Sequence, residues 1–254
     1  MFLTVFHEET RRIFHGKRGK KSRFGHMFGG AADYFGLSTS KRRPPVHLLF
    51  RLNTEDPAVG VTLPGVQWLP LLCAIRYGAC ALGYRVVSDE EVKILRQAEK
   101  KPWKNYPDDG YLEKLPVQPI LFKKGSYDPD NVEDVLGYAG VFGYGALTPK
   151  QYARVLRFLK KKRLAELFDC ESAEALLEEG GALPGLFDQG PPVEDCPDPT
   201  CENHGREASL QTFLIFVEGW IEAQTLWGPN SEIPKIIYQI CPKCGAISTS
   251  SQTT

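Results

Sequence analysis

The sequence predicts an α+β protein: a largely antiparallel sheet with two or three helices and a C-terminal section resembling a zinc ribbon. Three observations support this class. Short apolar runs rich in β-branched and aromatic residues alternate with turn residues, which is typical of strands. Helix start signals are few. Four cysteines stand in metal-ligand spacing in the last sixty residues.

The bulk composition is that of an ordinary globular chain. With 254 residues, 42% hydrophobic and 24% charged, we expect one or two domains with a substantial core. The formal net charge is zero, so overall charge gives no reason to expect a nucleic acid or membrane partner. No run approaches the ~20 continuous apolar residues of a membrane helix, and the N-terminus lacks a signal-peptide pattern. Four of seven cysteines in metal-like pairs favour the reducing cytoplasm.

Three segments are expected along the chain. Residues 1–45 mix basic residues, aromatics and glycines without a period, which predicts a basic irregular segment. Residues 46–190 are expected to form an α+β core. Residues 191–254 are expected to form zinc-stapled strands that are integrated with the core sheet.

The core begins with strand signals. Residues 46–53 are apolar and end at Asn53, which predicts a strand. Two further runs, 69–77 and 80–87, are expected to pair as a hairpin around Gly78. The run 117–122 predicts another short strand.

Helix signals follow in three places. Ser88 and Glu91 match a capping box ahead of apolar residues, which predicts a helix that ends before Pro102. Thr148 as N-cap and Pro149 in the first turn predict a second helix. A third, short helix is expected to stop at Gly180.

The strongest chemical signal is a set of two cysteine pairs. Cys241 and Cys244 form a zinc knuckle, and the following Gly245 eases backbone amides toward the sulfurs. Cys196 and Cys201 supply a second pair with acceptable spacing. Four cysteines complete a closed tetrahedron that leaves no position for water. We therefore predict one structural zinc ion, with no catalytic residues.

His204 is the alternative ligand. It follows Cys201 by three positions, so it can replace one cysteine in the coordination sphere. A site built from Cys196, Cys201 or His204 plus a water would define a zinc hydrolase. No HExxH or HxE…PCxxC pattern accompanies it, which favours the structural role.

Charge is sorted along the chain. Residues 1–51 carry eleven Lys or Arg against three acids, whereas residues 164–205 carry eleven acids and no Lys or Arg. Interleaved basic and aromatic residues near the N-terminus suit single-stranded nucleic acid. The alternative is a solvated basic arm that pairs with the acidic segment. The candidate nucleic-acid-binding residues are Arg11, Arg12, Lys17, Arg18, Lys20, Lys21 and Arg23.

Three stretches carry a resemblance to a known family: LPLLCAIRYGACALGYRVVSDEEVKIL, CPDPTCENHG and YQICPKCGAI. They resemble the YwqG-like family, uncharacterised bacterial proteins with an N-terminal α/β region and a C-terminal zinc ribbon. The resemblance covers the middle strands and the cysteine-rich end. It implies an intracellular soluble protein and no catalytic residues.

Together these observations predict a cytoplasmic zinc-binding protein that is not an enzyme. We expect it to act by binding a protein partner, as an immunity or accessory factor does, through its basic and acidic faces. The second hypothesis is a nucleic-acid-binding zinc-ribbon protein, and the third is a zinc hydrolase.

Overall fold

The structure is a computed structural model of the chain. It describes residues 2–7, 12–18, 20–37, 46–74, 81–97, 115–125, 128–142, 147–167, 171–178, 194–217 and 234–253. The chain forms two compact units, Met1–Gly125 with Val193–Thr253 and Ser126–Pro192. This division differs from the boundaries after residues 45 and 190 that were expected from the sequence.

The first unit is built from strands. In the described residues they are β1 Phe2–His7, β2 Arg12–Arg18, β3 Met27–Gly30, β4 His47–Asn53, β5 Trp68–Cys73, β6 Leu82–Val86, β7 Val92–Gln97, β8 Leu115–Lys124, β9 Gln211–Val217, β10 Pro234–Ile240 and β11 Ile247–Thr253. They hydrogen-bond in the order β5-β4-β3-β8-β2-β1-β9-β10-β11-β6-β7. All ten strand pairings in the described residues are antiparallel, which confirms the predicted antiparallel sheet.

Strand β8 connects two antiparallel sheets. Its first half, up to Pro119, pairs with β3, and its second half, from Ile120, pairs with β2. One sheet is therefore β5-β4-β3-β8, and the other runs from β8 to β7. The C-terminal strands β9, β10 and β11 lie inside the second sheet, between β1 and β6.

The end strand β5 meets β6 and β11 through side chains. The Tyr84 hydroxyl donates to the carbonyl of Pro70 at 3.0 Å and accepts from the amide of Leu72 at 3.2 Å. Thr249 donates its hydroxyl to the carbonyl of Leu72 at 3.0 Å. Tyr84 is fully buried. These bonds satisfy backbone groups of β5 that no neighbouring strand pairs in the described residues.

The core of this unit is apolar and lies on β4, β5 and β9. Leu52, Leu69, Leu71 and Phe216 are almost completely buried, and Phe50 stacks edge-on against Phe216 at 5.3 Å between ring centres. Both faces of β4 and β5 are largely covered, which explains their continuous apolar runs.

The N-terminal segment is not irregular where it is described. β1 and β2 pair as an antiparallel hairpin, and β1 also pairs with β9 while β2 pairs with β8. Gly16 stands opposite Leu3 on one side and Phe122 on the other. Glycine and basic residues have a low preference for strands, so the sequence pattern did not indicate β2. Pairing with a strand on each side outweighs this low preference.

The helix expected at Ser88 is a strand hairpin. The Val87 amide donates to the Glu91 carbonyl at 2.9 Å, and the Ser88 hydroxyl accepts from Glu90, so Ser88 stabilises a turn rather than a helix. β7 then pairs with β6. β6 also pairs with β11, so the expected pairing of β5 with β6 around Gly78 is wrong for the described residues. Long-range pairing overrode the local capping signal.

The second unit is helical. Its described helices are α1 Val132–Phe142, α2 Pro149–Lys162, α3 Leu164–Leu167 and α4 Ala173–Glu178. The capping box of α2 is confirmed: Thr148 accepts from the Gln151 amide, and the Gln151 side chain accepts from the Thr148 amide at 2.9 Å. Val135, Val155 and Leu159 are buried in a small core that the helices share.

No helix in the described part of the chain is both long and apolar enough to cross a bilayer.

Candidate metal centre

The four predicted cysteine ligands come from two arms. Cys196 and Cys201 lie in the loop that precedes β9, and Cys241 and Cys244 lie in the turn that connects β10 to β11. Because β9 pairs with β10, the two arms emerge near the same end of the sheet.

The turn after β10 has the geometry of a knuckle. The Cys241 amide donates to the Ala246 carbonyl at 2.8 Å, and the Gly245 amide donates to the Cys241 carbonyl at 2.9 Å. Gly245 has a φ of 70°, in the left-handed region that favours glycine. A Cβ at this position would lie 2.8 Å from Leu63 Cδ2. The positive φ and the lack of space for a Cβ both explain why glycine follows Cys244.

The loop before β9 is held by short-range hydrogen bonds. The Asp198 carboxylate accepts from the amide of Thr200 at 2.9 Å and from its hydroxyl at 2.7 Å. The amide of Cys201 donates to the Asp198 carbonyl at 3.0 Å, and that of Cys196 donates to Asn203 at 3.3 Å. This turn brings the two sulfurs of the loop toward each other.

The four sulfurs form one cluster. All Sγ atoms lie within 4.8 Å of one another. Cys196 is 3.4 Å from Cys244, and Cys201 is 3.8 Å from Cys241, both measured between Sγ atoms. A tetrahedron with Zn–S bonds of about 2.3 Å has edges of about 3.8 Å. The cysteines are free, and the cluster can hold a metal ion.

Asn203 supports the sulfurs from outside the cluster. Its backbone amide points at Cys201 Sγ and its side-chain amide at Cys241 Sγ, each at 3.5 Å. Such donors stabilise thiolates and orient them toward a metal. The cysteine spacing did not indicate this residue, although it lies between Cys201 and His204.

Burial and hydrogen bonding act differently on the thiols. Burial raises the pKa of Cys196 and of Cys244. Burial acts the same way on Cys241, but hydrogen bonds from the backbone of Cys244 and Lys243 and from Asn203 lower its pKa to about 7. Of these three thiols, Cys241 ionises most readily.

His204 is close to the cluster but is not one of its members. Its Nδ1 atom donates to the carbonyl oxygen of Cys196 at 2.7 Å and lies 3.6 Å from an oxygen of Asp195. Its side chain is 43% exposed. The ring therefore braces the loop backbone, and the four sulfurs gather without it.

The loop is anchored to β6 and β7. Arg85 pairs with Asp198, and Arg96 pairs with Glu194 and with Asp195, the latter at 2.6 Å. Arg96 and a hydrogen bond from the Gly205 amide lower the pKa of Asp195. Glu194, Asp195 and Asp198 are thus paired with sheet arginines, and Glu202 in the same loop pairs with Lys243 at 2.9 Å.

Gly83 permits the closest approach of this loop to the sheet. A Cβ on Gly83 would lie 2.4 Å from the Cβ of Pro197, the residue that follows Cys196. A side chain at position 83 would therefore push the loop away from β6.

A cavity of about 500 Å³ lies beside the loop. Among the described residues that line it are Arg96, Glu194, Asp195, Glu207 and Ser248, and none of the four cysteines. The Ser248 hydroxyl donates to Glu194. The cavity therefore does not open onto the sulfurs.

The residues proposed to bind nucleic acid are spread over two elements. Arg12, Lys17 and Arg18 belong to β2, and Lys20, Lys21 and Arg23 lie exposed in the turn region before β3. Arg11 lies outside the described residues. The structure thus replaces a loose arm with a strand followed by a short exposed segment.

Comparison with protein-family models, with curated proteins and with solved structures gives no match. The resemblance to the YwqG-like family stays a prediction.

Proposed function

We propose that this chain is a zinc-binding protein in which one zinc ion has a structural role, and that it acts by binding a partner. The four ligands are Cys196, Cys201, Cys241 and Cys244. The observation that carries the proposal is the convergence of their sulfurs, two from each arm, within 4.8 Å.

The ligand chemistry supports zinc. Soft thiolates in a tetrahedral set of four select zinc or iron–sulfur chemistry, and a single ion with edges near 3.8 Å fits the sulfur spacing. Zinc would cross-link the loop before β9 to the turn after β10. Because the four sulfurs converge only in the folded chain, the free energy of zinc binding adds to the stability of the sheet.

The same geometry argues against hydrolysis at the metal. Four protein sulfurs occupy every position of a tetrahedral ion, so no position is left for a water nucleophile. Two of the sulfurs, those of Cys196 and Cys241, are fully buried, and the neighbouring cavity is not lined by them. A zinc hydrolase therefore has the least support of the three hypotheses.

A reducing compartment such as the cytoplasm is consistent with these cysteines. They are free, and their sulfurs lie well beyond the ~2.05 Å of a disulfide. Metal binding by thiolates requires the reduced state.

The charge pairing in the loop before β9 bears on the class of partner. Glu194, Asp195 and Asp198 are paired with Arg96 and Arg85, so this end of the acidic segment is not a free acidic face. Of the two partner classes expected from the sequence, nucleic acid is therefore favoured over a protein partner that binds through exposed basic and acidic faces.

The test is a zinc K-edge absorption spectrum combined with metal analysis of untagged protein, for the native chain and for His204→Ala. We expect about one zinc per chain and four sulfurs at ~2.3 Å in both proteins. Absence of zinc contradicts the proposal, and a nitrogen ligand that disappears in His204→Ala shows that the histidine replaces a cysteine.

A further inference from the structure

Two arginines of the first unit lie stacked on aromatic rings. The Arg23 guanidinium carbon is 4.5 Å from the centre of the Phe24 ring, and that of Arg51 is 4.7 Å from the centre of the Trp68 ring. Each stack presents a planar cation and a π-surface together, a combination that binds both phosphates and bases.

The two stacks are neighbours although they are distant in the sequence. A Cβ on Gly25, which follows Phe24, would lie 3.4 Å from Trp68 Cη2. The Asn53 side chain donates to the Phe24 carbonyl at 3.2 Å, and Asn53 stands opposite Trp68 in the β4–β5 pairing. The pairing of β4 with β5 therefore places Arg51 and Trp68 beside the segment that begins at Lys20.

The cations of this region have no acidic partner among the described residues. No ion pair involves Lys20, Lys21, Arg23 or Arg51 there, whereas Arg85 and Arg96 are both paired. The buried Arg51 Nε atom also lacks a hydrogen-bond partner among the described residues. Unneutralised positive charge of this kind attracts a polyanion.

Exposure permits contact with such a partner. Lys20, Lys21 and Arg23 are exposed, and the rings of Phe24 and Trp68 are half-buried.

The Asp89 carboxylate near Trp68 accepts from the backbone amides of Gln67 and Trp68 at 2.8 and 2.7 Å. These two amides hold the carboxylate against the start of β5.

We propose that these residues form a binding surface for single-stranded nucleic acid. This Arg–aromatic surface consists of Lys20, Lys21, Arg23, Phe24, Arg51 and Trp68. The lysines and Arg23 contact phosphates, and unpaired bases stack on the Phe24 and Trp68 platforms. The inference rests on the binding role proposed above and names its partner, but it does not depend on the zinc.

Single strands suit this surface better than a duplex. Half-buried rings can stack only on bases that are not already stacked in a helix. The described residues of the surface belong to strands and turns, so it offers no helix of its own to enter a major groove.

The test is fluorescence anisotropy with a labelled oligouridylate of about 12 nucleotides and with a duplex of equal length, using zinc-loaded full-length protein. We expect the single strand to bind more tightly than the duplex. The triple variant Lys20→Gln/Lys21→Gln/Arg23→Gln is expected to bind at least about tenfold more weakly, and its log–log salt slope should fall by about 2.

Stacking is tested separately from charge. Trp68→Leu is expected to weaken binding at least about fivefold with little change in salt slope, because it removes a base platform and no charge. Arg51→Lys, which keeps the charge but loses the planar stack, is the second variant if Trp68→Leu does not fold.

The matched control is Lys150→Gln/Arg157→Gln/Lys161→Gln on α2. It removes the same charge from three exposed positions in the other unit. We expect unchanged affinity apart from a small salt-dependent effect. An equal loss in this control overturns the proposed surface, as does absence of binding at about 20 mM salt.

Two further outcomes overturn it. Tighter binding of the duplex contradicts the single-strand preference, and displacement by polyglutamate at equal charge concentration indicates an acidic protein partner. Zinc content, measured on the same samples, separates the two proposals. Zinc-loaded protein that does not bind contradicts this surface alone, and zinc-free protein that binds contradicts only the structural zinc.

Discussion

The Sγ atoms of Cys201 and Cys241 lie 3.8 Å apart, although forty residues separate them in the chain. The loop before β9 and the turn after β10 meet at this point. A metal ion held by the four sulfurs would therefore cross-link these two segments.

Cys241→Ser is expected to release zinc and to destabilise the first unit. With free zinc at about a thousand times its Kd, binding contributes about 4 kcal/mol to the free energy of unfolding, and the variant loses this contribution. Urea unfolding with and without a chelator measures the loss. Cys73→Ala, at a buried cysteine in β5 outside the cluster, is the control and should keep its zinc. A chelator that leaves native stability unchanged would contradict a structural role.

Asn203→Asp is expected to lower zinc affinity by about 10- to 100-fold, the usual range for loss of a residue that supports a metal ligand. The Asn203 amide donates toward Cys241 Sγ, whereas a carboxylate would face the thiolate with like charge. Competition with a chromophoric chelator measures the affinity. An affinity equal to that of the native chain would show that the amide contact is not important.

Gly83→Ala is expected to destabilise the first unit by about 1–3 kcal/mol and to weaken zinc binding, because its Cβ collides with Pro197 beside a ligand. The control is Gly65→Ala: Gly65 has a φ of 73° but open space around it, so only backbone strain is added. Thermal unfolding and zinc competition are measured for both variants. Equal zinc affinities would show that the loop tolerates the displacement.

His26 is expected to make the protein less stable in mild acid. The Asn53 amide donates to Nδ1 at 3.0 Å, so the neutral ring carries its proton on Nε2 and donates to Asp56 at 2.8 Å. Burial lowers the pKa of His26 below 6.5, although Asp56 acts in the opposite direction. As the pH falls through 6.5, the unfolded chain therefore binds a proton before the native one, and the free energy of unfolding decreases.

Urea unfolding between pH 5 and pH 8, compared with His26→Gln, measures this contribution. The pH dependence in the acid range should be shallower in the variant. Nuclear magnetic resonance of the imidazole nitrogens reports the tautomer directly, and a native His26 pKa above 6.5 would contradict the prediction.

Tyr84→Phe is expected to lower the free energy of unfolding by about 1–3 kcal/mol, because buried backbone groups of Pro70 and Leu72 lose their hydrogen-bond partner. Tyr152→Phe, at a half-buried tyrosine of α2 in the other unit, is the control and should change little. If both variants unfold at the same urea concentration as the native protein, the β5 edge does not depend on Tyr84.

Some features could be predicted because their causes are local. Thr148 and Gln151 exchange capping hydrogen bonds within one turn, and Pro149 fits the first turn because it has no amide hydrogen to satisfy, so the sequence indicated the start of α2. The cysteine pairs are equally local, since each arm sets the spacing of its own two sulfurs.

Other features depend on residues far away in the chain. Ser88 and Glu91 satisfy the pattern of a helix cap, yet β7 pairs with β6, because strand pairing and burial of Val92 outweigh a capping preference. Neither Arg51 nor Trp68 carries a local signal. Arg51 and Trp68 lie beside the segment that begins at Lys20 only because β4 pairs with both β3 and β5.

Local sequence is sufficient to predict the apolar runs, the start of α2 and the two pairs of candidate ligands, because propensity, capping and ligand spacing act over a few residues. The folded chain is needed to establish which runs are neighbours, that the two cysteine arms meet, and that two arginine stacks share one surface. Each of these depends on hydrogen bonds and burial between segments tens of residues apart, and such pairings are chosen by the packing of the whole sheet.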